Sequence, residues 1–253
     1  MRDFEGKVAI VTGASRRIGA AIAVELGRRG AAVVVNYLTR KDLAERVGGQ
    51  VEAAGGRALV HQADVRDRLA IRAMVDRTAE AFGGVDILIN NARSIHPKGS
   101  FLEMTWEKHM LPMIEVHLAG AFHCCQAAVP HMVRRGGGAI LNLLSISFRR
   151  GDPNLHAYSA AKAALRSFTM TLASDLGRQG IRVNSISPGT TETEEFRARY
   201  TDEERVRMRQ EIPLGRIAVP EEVSGAAVFL CSEEARYITG VDIVVSGGRS
   251  IPF

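Results

Sequence analysis

The sequence predicts an α/β fold with a doubly wound, seven-stranded parallel sheet and helices on both faces. Short apolar runs rich in β-branched residues recur along the chain, and they alternate with longer segments of helical apolar spacing. The runs are apolar without a break, as is typical of strands buried on both faces of a parallel sheet. No long polar linker divides the 253 residues, so residues 1–253 are predicted to form a single domain.

The order of the elements follows from this alternation. Strands are predicted at residues 7–12, 32–37, 58–61, 85–90, 139–144, 182–187 and 241–245. Helices are predicted at residues 18–29, 42–54, 68–82, 106–135, 156–178 and 220–231, with breaks near Pro112 and Pro130. A charged segment at residues 192–211 carries no strong apolar stripe.

Composition excludes several classes of protein. With 46% hydrophobic and 24% charged residues, the chain can bury a core, which excludes a disordered or fibrous protein. No apolar stretch is long enough to span a membrane and no signal-peptide pattern is present, so a soluble, cytoplasmic protein is expected. Cys124, Cys125 and Cys231 are expected to be buried thiols, with neither disulfide nor metal spacing. The net charge of +5 is spread along the chain, so no nucleic-acid or membrane partner is expected.

Ligands of such sheets bind beyond the carboxyl ends of the strands, so the turn after the first strand is the first candidate. It runs through a glycine onto a helix whose free amide groups can receive a pyrophosphate. The candidate residues in this turn are Gly13, Ser15, Arg16, Arg17 and Ile18. A turn with two glycines is also common as plain architecture, so this signal is weak when taken by itself.

The turn after the second strand favours NADP(H) over NAD(H). A carboxylate there would bind a ribose diol, but no acid precedes Asp42. Arg16 and Arg40 can instead neutralise a 2′-phosphate, although both arginines could equally be solvated. The candidate residues in the second turn are Asn36, Tyr37, Thr39 and Arg40.

Two further turns contain polar residues. Asp64 and Val65 are suited to an adenine edge, and Asn91 and Ala92 can hold the neighbouring strand in place. Ordinary loop chemistry would account for either turn equally well.

Tyr158 and Lys162 lie four apart on one predicted helical face, after Ser145 at a strand end. A lysine cation near the phenol favours the phenolate and is expected to lower the tyrosine pKa. The serine hydroxyl can hydrogen-bond a carbonyl oxygen as negative charge develops on it. These three residues are therefore predicted to be catalytic, as a proton donor with its supporting groups.

From about residue 6 to residue 248 the chain resembles the short-chain dehydrogenase/reductases, and most of all their 3-oxoacyl-carrier-protein reductase branch. Besides the turns above, the resemblance rests on the sequences SPG at 187–189, PLGR at 213–216, PEEV at 220–223, ITG at 238–240 and GG at 247–248. It implies a Rossmann-type oxidoreductase in which Ser145 and Tyr158 bind and protonate the carbonyl. Lys162 would hold the nicotinamide ribose and tune the tyrosine.

The resemblance has further implications for binding and assembly. Pro188, Gly189 and Thr191 would contact the cofactor together with Tyr158 and Lys162, and residues 190–213 would form a lid over the substrate. A homo-oligomer, tetramer or dimer, is expected, as in other members of the family.

Three departures from the family pattern lie in the expected site. Arg17 replaces the middle glycine of the first turn, and Arg93 replaces the glycine of an Asn-Asn-Ala-Gly turn. Each arginine either crowds the cofactor or binds an anion in the cleft. His117 stands where the family usually has a catalytic asparagine, and we expect it to act through a water in the proton relay.

The substrate is expected to be a small-molecule or carrier-bound carbonyl compound, and an anionic one if the arginines face it. Arg93 and Arg149 would contact this substrate together with Ser145 and Tyr158, while Arg150 would extend the basic rim. The favoured function is an NADPH-dependent reductase that transfers hydride to a ketone. The alternatives are a protein of the same fold with non-redox or cofactor-sensing function, and a pteridine-type reductase, which Arg17 favours and Ser145 disfavours.

Overall fold

The computed structural model describes residues 2–94 and 100–250, without the side chain of residue 195. Within these ranges, seven parallel strands form one sheet in the order β3-β2-β1-β4-β5-β6-β7. The strands are β1 (Val8–Val11), β2 (Ala32–Tyr37), β3 (Arg57–Gln62), β4 (Ile87–Asn90), β5 (Gly138–Leu143), β6 (Ile181–Pro188) and β7 (Asp242–Val245). The predicted fold class is confirmed, and each predicted strand is present.

The helices cover both faces of the sheet. They are α1 (Arg17–Arg28), α2 (Lys41–Ala53), α3 (Arg68–Phe82), α4 (Leu111–Ile114), α5 (Gly120–Arg134), α6 (Ser147–Arg150), α7 (His156–Leu176), α8 (Glu194–Arg199), α9 (Asp202–Gln210) and α10 (Pro220–Cys231). Helices α1, α2 and α10 pack on one face, and α3, α5 and α7 on the other. The strand order reverses between β1 and β4, which is where ligands of doubly wound sheets bind.

Strand β1 shows why the apolar runs predicted buried strands. Ala9 and Val11 pack into the core under α1 and α10, whereas Ile10 packs into the core under α3 and α5. Successive side chains point to opposite faces, so a strand covered on both faces must be apolar at every position.

The long helix predicted at residues 106–135 is interrupted. Two π-helical turns, Trp106–Met110 and Glu115–Ala119, flank α4, and Pro130 lies inside α5 instead of at a break. The prediction was wrong about where the helix changes, because a π turn inserts an extra residue into the hydrogen-bonding pattern without changing the apolar composition.

The charged segment after β6 folds into α8 and α9. Thr193 caps α8, and Thr201 with Glu204 forms a capping box at the start of α9. No residue of α9 is buried, in agreement with the lack of an apolar stripe. A parallel bridge between Thr191 and Ala218 ties the beginning of this segment to the chain before α10.

Three findings bear on the predictions from composition. Across residues 2–94 and 100–250, no helix is both long enough and apolar enough to cross a membrane. The same residues contain no cluster of three or more His, Cys, Asp or Glu that could hold a metal ion. Cys124, Cys125 and Cys231 are buried free thiols, as predicted.

Candidate active site

A cleft of about 410 Å³ lies at the carboxyl ends of β1, β4, β5 and β6. It contains most of the predicted site residues. Those lining it are Gly13, Ser15, Arg16, Arg17, Ile18, Thr39, Arg40, Asn91, Arg93, Ser145, Tyr158, Lys162, Pro188, Gly189 and Thr191. The volume is in the range of small-ligand and cofactor sites.

The floor of the cleft is a hydrogen-bonded link between the turns after β1 and β4. The Thr12 hydroxyl oxygen accepts hydrogen bonds from the backbone N–H groups of Asn91 and Ala92, each at 3.0 Å. The Asn91 side-chain amide donates to the carbonyl oxygens of Thr12 at 2.8 Å and Gly13 at 3.0 Å. The two strand ends are therefore held in one arrangement beneath the cleft.

Gly13 and Gly19 allow this close packing. A Cβ atom at Gly13 would lie 2.9 Å from Cα of Ala92, and the glycine has a φ of +61°. A Cβ atom at Gly19 would lie 2.3 Å from Nδ2 of Asn91. Both positions therefore require glycine, the first also because of its left-handed backbone.

Arg17 has a left-handed backbone with a φ of +58°. Side chains with a Cβ atom rarely adopt this conformation, and glycine adopts it without penalty. The arginine therefore takes the conformation that suits glycine, so the turn runs onto α1 with an arginine side chain in the cleft.

The N-terminus of α1 meets the cleft. Arg16 is its N-cap residue and makes no side-chain capping bond, and the first turn contains no acidic residue. Backbone N–H groups and the positive end of the helix dipole therefore favour an anion at this point.

In the turn after β2, two of the predicted cofactor residues are buried and two line the cleft. Asn36 and Tyr37 are buried; the Asn36 side-chain oxygen accepts from the backbone N–H of Gly13 at 3.1 Å. Asn36 thus supports the first turn from below instead of facing the cleft. Thr39 and Arg40 do line the cleft.

Three more predicted cofactor residues lie outside the cleft lining. The carboxylate of Asp64 pairs with Arg66 at 2.6 Å, which holds the pKa of Asp64 below its usual value. Val65 and Ala92 line a small neighbouring cavity instead. Val65 also packs against Gly120, where a Cβ atom would lie 2.8 Å from the valine side chain.

The residues predicted to be catalytic meet at the wall of the cleft. Ser145 follows β5, while Tyr158 and Lys162 lie in the first turns of α7. Ser145 hydrogen-bonds the Tyr158 side chain. Nζ of Lys162, which is only 3% exposed, donates to the Leu143 carbonyl at 2.5 Å and lies 5.7 Å from the centre of the Tyr158 ring.

The electrostatics differ from the expectation for Tyr158. Burial raises the pKa of Tyr158, although the Arg93 cation and the Ser145 hydrogen bond act in the opposite direction. Burial, and secondarily Arg93, lowers the pKa of Lys162 to about 7. The expected lowering of the tyrosine pKa by Lys162 is therefore not found, because desolvation outweighs the opposing effects of Arg93 and Ser145 at Tyr158.

His117 lies in the second π turn and is 2% exposed. Its ring meets the Tyr158 ring edge to face, with centroids 5.3 Å apart. A cavity of about 10 Å³, close to the minimum for one water molecule, is lined by His117, Asn90 and Lys162 among others. The π turn thus brings the histidine to the buried side of the tyrosine–lysine pair.

Arg149 does not line the cleft. Its guanidinium pairs at 2.6 Å with the carboxylate of Asp242 in β7, whose side chain is only 1% exposed. Arg150 likewise pairs with Asp152 and Glu211. The basic rim predicted after Ser145 does not form, because tertiary ion pairs turn both arginines toward β7 and the end of the charged segment.

Sequence reasoning missed several lining residues, among them Leu38, Thr193, Phe196, Arg199 and Tyr200. Most of them come from α8 and its neighbours, and nothing in the charged segment distinguishes inward from outward residues. With Arg199 included, five arginines and Lys162 line the cleft, and no Asp or Glu does so among the described residues.

A second cavity of about 570 Å³ lies at the opposite, amino ends of the strands. Two of its arginines are held by the protein itself: Arg135 pairs with Asp86 at 3.1 Å, and Arg182 donates to the Leu230 carbonyl at 2.6 Å. The catalytic constellation is absent from its lining, so we assign the chemistry to the smaller cleft.

Known proteins share both this fold and much of the sequence. The family described as enoyl-(acyl carrier protein) reductase matches residues 13–250. A 3-oxoacyl-[acyl-carrier-protein] reductase, FabG, of Staphylococcus epidermidis is 38% identical over 242 residues, which cover 96% of this chain and 98% of the relative. L-rhamnose 1-dehydrogenase (NAD(P)(+)) of a Sphingomonas strain is 39% identical over 253 residues, with 99% of each chain covered.

A solved structure has the same fold as this chain. The structure of 7α-hydroxysteroid dehydrogenase complexed with NADH and 7-oxo glycochenodeoxycholic acid superposes with a TM-score of 0.92 and 34% identity, covering 98% of this chain and 95% of the other. The chain belongs to the short-chain dehydrogenase/reductase family, in its 3-oxoacyl-carrier-protein reductase-like branch. It is an oxidoreductase of a family that uses nicotinamide cofactors.

Proposed function

We propose that the protein reduces a ketone to an alcohol with NADPH, and that Tyr158 donates the proton. One observation carries the proposal: Ser145, Tyr158 and Lys162 converge on a cleft whose other charged lining residues, among those described, are all arginines. Hydroxyl donors are needed where negative charge develops on the carbonyl oxygen. Cations are needed where a phosphorylated cofactor binds.

The residues present fit a dinucleotide. The uncapped N-terminus of α1 suits a pyrophosphate, and Thr39 and Arg40 stand where the adenosine end is expected. Pro188, Gly189 and Thr191 would contact the nicotinamide end. When bound, the cofactor supplies the hydride.

NADPH is preferred over NADH in this proposal because of Arg16, Arg17 and Arg40. Arg40 pairs at 2.8 Å with Asp42, but both side chains are about half exposed or more, at 49% and 62%. Exposed ion pairs are weak, so a 2′-phosphate can compete for the arginine. No carboxylate of the described residues lies in the cleft to take the place of that phosphate.

The protein's own groups handle the proton. The raised pKa of Tyr158 keeps the phenol protonated at neutral pH, ready to donate to the developing alkoxide while the Ser145 hydroxyl steadies it. Lys162 and His117 then return a proton through the water-sized cavity between them. With a pKa of about 7, Lys162 gives up and takes back a proton near neutral pH.

The backbone of Arg17 supports redox function over the non-redox alternative. Because the arginine takes the left-handed conformation that glycine would take, the turn does not rearrange to close the cleft. We further propose that residues 190–213 act as the substrate lid, that the protein forms a homotetramer or homodimer, and that it works in the cytoplasm.

Titration of the purified protein with NADPH and with NADH tests the proposal. Binding of NADPH in the micromolar range and at least about tenfold weaker binding of NADH are expected, since tenfold corresponds to about 1.4 kcal/mol of phosphate contact. A panel of ketones should then be reduced by the wild type and not by Tyr158→Phe. If neither nucleotide binds, the proposal is wrong.

A further inference from the structure

Two arginines that line the cleft are not among those assigned to the cofactor phosphates in the proposed function. Arg93 comes from the loop after β4, and Arg199 is the last residue of α8 in the charged segment. Both line the same cleft as Ser145 and Tyr158. The proposed function assigns the phosphates of the dinucleotide to Arg16, Arg17 and Arg40, which follow β1 and β2.

Arg93 lies close to the reacting groups. Its charge acts on the Tyr158 phenol and on the Lys162 ammonium alike, so the guanidinium is within electrostatic range of both. An anion held by Arg93 would therefore lie near the carbonyl that Tyr158 protonates. It would also offset the cost of placing this guanidinium beside the lysine cation.

Arg199 stacks on an aromatic side chain of its own segment. Its guanidinium lies over the Tyr200 ring at 5.5 Å from the ring centre, and the Phe196 and Tyr200 rings are 4.9 Å apart. The Thr193 hydroxyl caps α8 by accepting from the Phe196 N–H at 3.1 Å. Stacking on an aromatic ring restricts a guanidinium while leaving its N–H groups available for a carboxylate or phosphate.

We propose that Arg93 and Arg199 form an anion site that binds a carboxylate or phosphate group carried by the carbonyl substrate itself. The proposal rests on the proposed function, because it names the substrate class of the same cleft. Near the ketone, the thioester of a carrier-bound substrate is uncharged. The inference therefore favours a free oxo acid or a phosphorylated ketone over a carrier-bound thioester.

The test separates binding from turnover. With the enzyme saturated with NADP⁺, ketones bind without being reduced, so calorimetry measures their affinity alone. The probes are short 2-oxo and 4-oxo acids, each compared with its methyl ester and its thioester, and a phosphorylated hydroxyketone compared with the free hydroxyketone. The first pairs report on a carboxylate site and the last pair on a phosphate site.

At least one anionic probe is expected to bind about tenfold or more tightly than its neutral partner, as for a charge-assisted guanidinium contact. Arg93→Gln and Arg199→Gln should each reduce that preference about fivefold or more without changing the affinity for NADP⁺. Arg178→Gln removes the same charge from an exposed turn at the amino end of β6, opposite the end of the sheet where the cleft lies, and should leave the preference intact.

Three results would overturn the proposal: equal binding of every anionic probe and its neutral partner, tighter binding of the thioesters than of any anionic probe, or weakened NADP⁺ binding in Arg93→Gln. The last would mean that Arg93 serves the cofactor. Arg93→Lys, which keeps the charge, should keep the preference. If Arg93→Gln fails to fold, Arg199→Gln provides the loss-of-charge measurement. An anion preference without NADPH consumption would support the anion site and contradict the proposed reduction.

Discussion

At the scale of the residue, Arg17 combines a strained backbone with a positive charge in the cleft lining. Its φ of +58° costs a residue with a Cβ atom about 1–2 kcal/mol relative to the right-handed conformation. A residue that persists under such strain is commonly found at a functional site. The proposed gain is contact with a cofactor phosphate.

Comparison of Arg17→Gly with Arg17→Ala separates the two effects. Both variants lose the guanidinium, so both should bind NADPH about tenfold more weakly. The glycine variant removes the left-handed strain and should unfold with a free energy about 1 kcal/mol greater than the alanine variant. Denaturant titration and NADPH fluorescence measure the two quantities. Equal stabilities would show that the backbone at this position is unstrained.

The pH dependence of reduction follows from the groups around Tyr158. A protonated phenol is needed for donation, so the rate should fall as the pH rises through the tyrosine pKa. Arg93 favours the phenolate and thereby lowers that pKa, so its removal must raise it. In Arg93→Gln, the alkaline limb of kcat should move to higher pH.

A neutral ketone is the proper substrate for this measurement, because the charge of the substrate then plays no part. Arg93→Lys retains a cation and should leave the limb near its wild-type position. A shift to lower pH in the glutamine variant would contradict the assignment of Tyr158 as the proton donor.

Individual site residues were predictable where residues of suitable chemistry stand at a spacing that brings them together in the fold. Ser145, Tyr158 and Lys162 were found because a strand end and a four-residue helical spacing bring them to one place. Asn36 was expected to face the cofactor, yet its amide supports the Gly13 backbone. A polar residue at the end of a strand can face either way, and only the tertiary packing decides which.

At the scale of the element, α6 connects the turn carrying Ser145 with the helix carrying Tyr158. Its Arg149 reaches across to Asp242 of β7, and this buried carboxylate also accepts from the Ser187 hydroxyl at 2.8 Å and the Ser185 hydroxyl at 3.1 Å. The ion pair therefore ties the segment between Ser145 and Tyr158 to the edge strand β7.

Arg149→Met should lower the free energy of unfolding by about 3 kcal/mol, since it leaves a buried carboxylate without its cation. It should also lower kcat several-fold, because α6 no longer holds the Ser145 turn, while the Kd for NADPH stays unchanged. Chemical denaturation and steady-state kinetics provide these values.

Arg150→Met is the matched control on the same helix. Arg150 pairs with Asp152 and Glu211, which are more exposed than Asp242, so its loss should cost at most about 1 kcal/mol. If the two variants are equally stable, the Asp242 pair does not anchor α6.

Helices and strands were predictable from the sequence where their burial requires apolar residues. The strands buried on both faces must be apolar throughout, and all seven were identified in advance. The π turn that contains His117 was not predicted, because the change in backbone hydrogen bonding that forms it requires no particular residue type. Helix α6 was missed as well, since four residues are too few for an apolar period to be recognised.

At the scale of the whole molecule, positive charge is concentrated in the cleft at the carboxyl ends of the strands. The 33 basic and 28 acidic residues give a net charge of only +5, yet the described lining of the cleft contains five arginines and one lysine without a carboxylate. The concentration of positive charge in the cleft was not predictable from the sequence. Arg199 lines the cleft because of how the charged segment folds, whereas Arg149 does not line it because it pairs with Asp242 of β7.

A cleft lined by one sign of charge attracts anionic ligands from solution, and dissolved salt screens that attraction. NADPH carries one phosphate more than NADH, so its binding affinity should fall more steeply as the salt concentration rises. Between 0.1 and 1 M NaCl, where the screening length falls from about 10 to about 3 Å, NADPH should bind about tenfold more weakly and NADH about threefold.

Arg16→Gln should flatten the salt dependence for NADPH and bring it close to that for NADH, because it removes one of the cations assigned to the extra phosphate. Arg178→Gln lowers the net charge by the same amount on the opposite side of the sheet and should not alter the slope. Fluorescence titrations of both nucleotides with the wild type and the two variants across this range of salt give the six slopes. If the two variants flatten the dependence equally, the net charge of the molecule governs binding, and the concentration of arginines in the cleft does not.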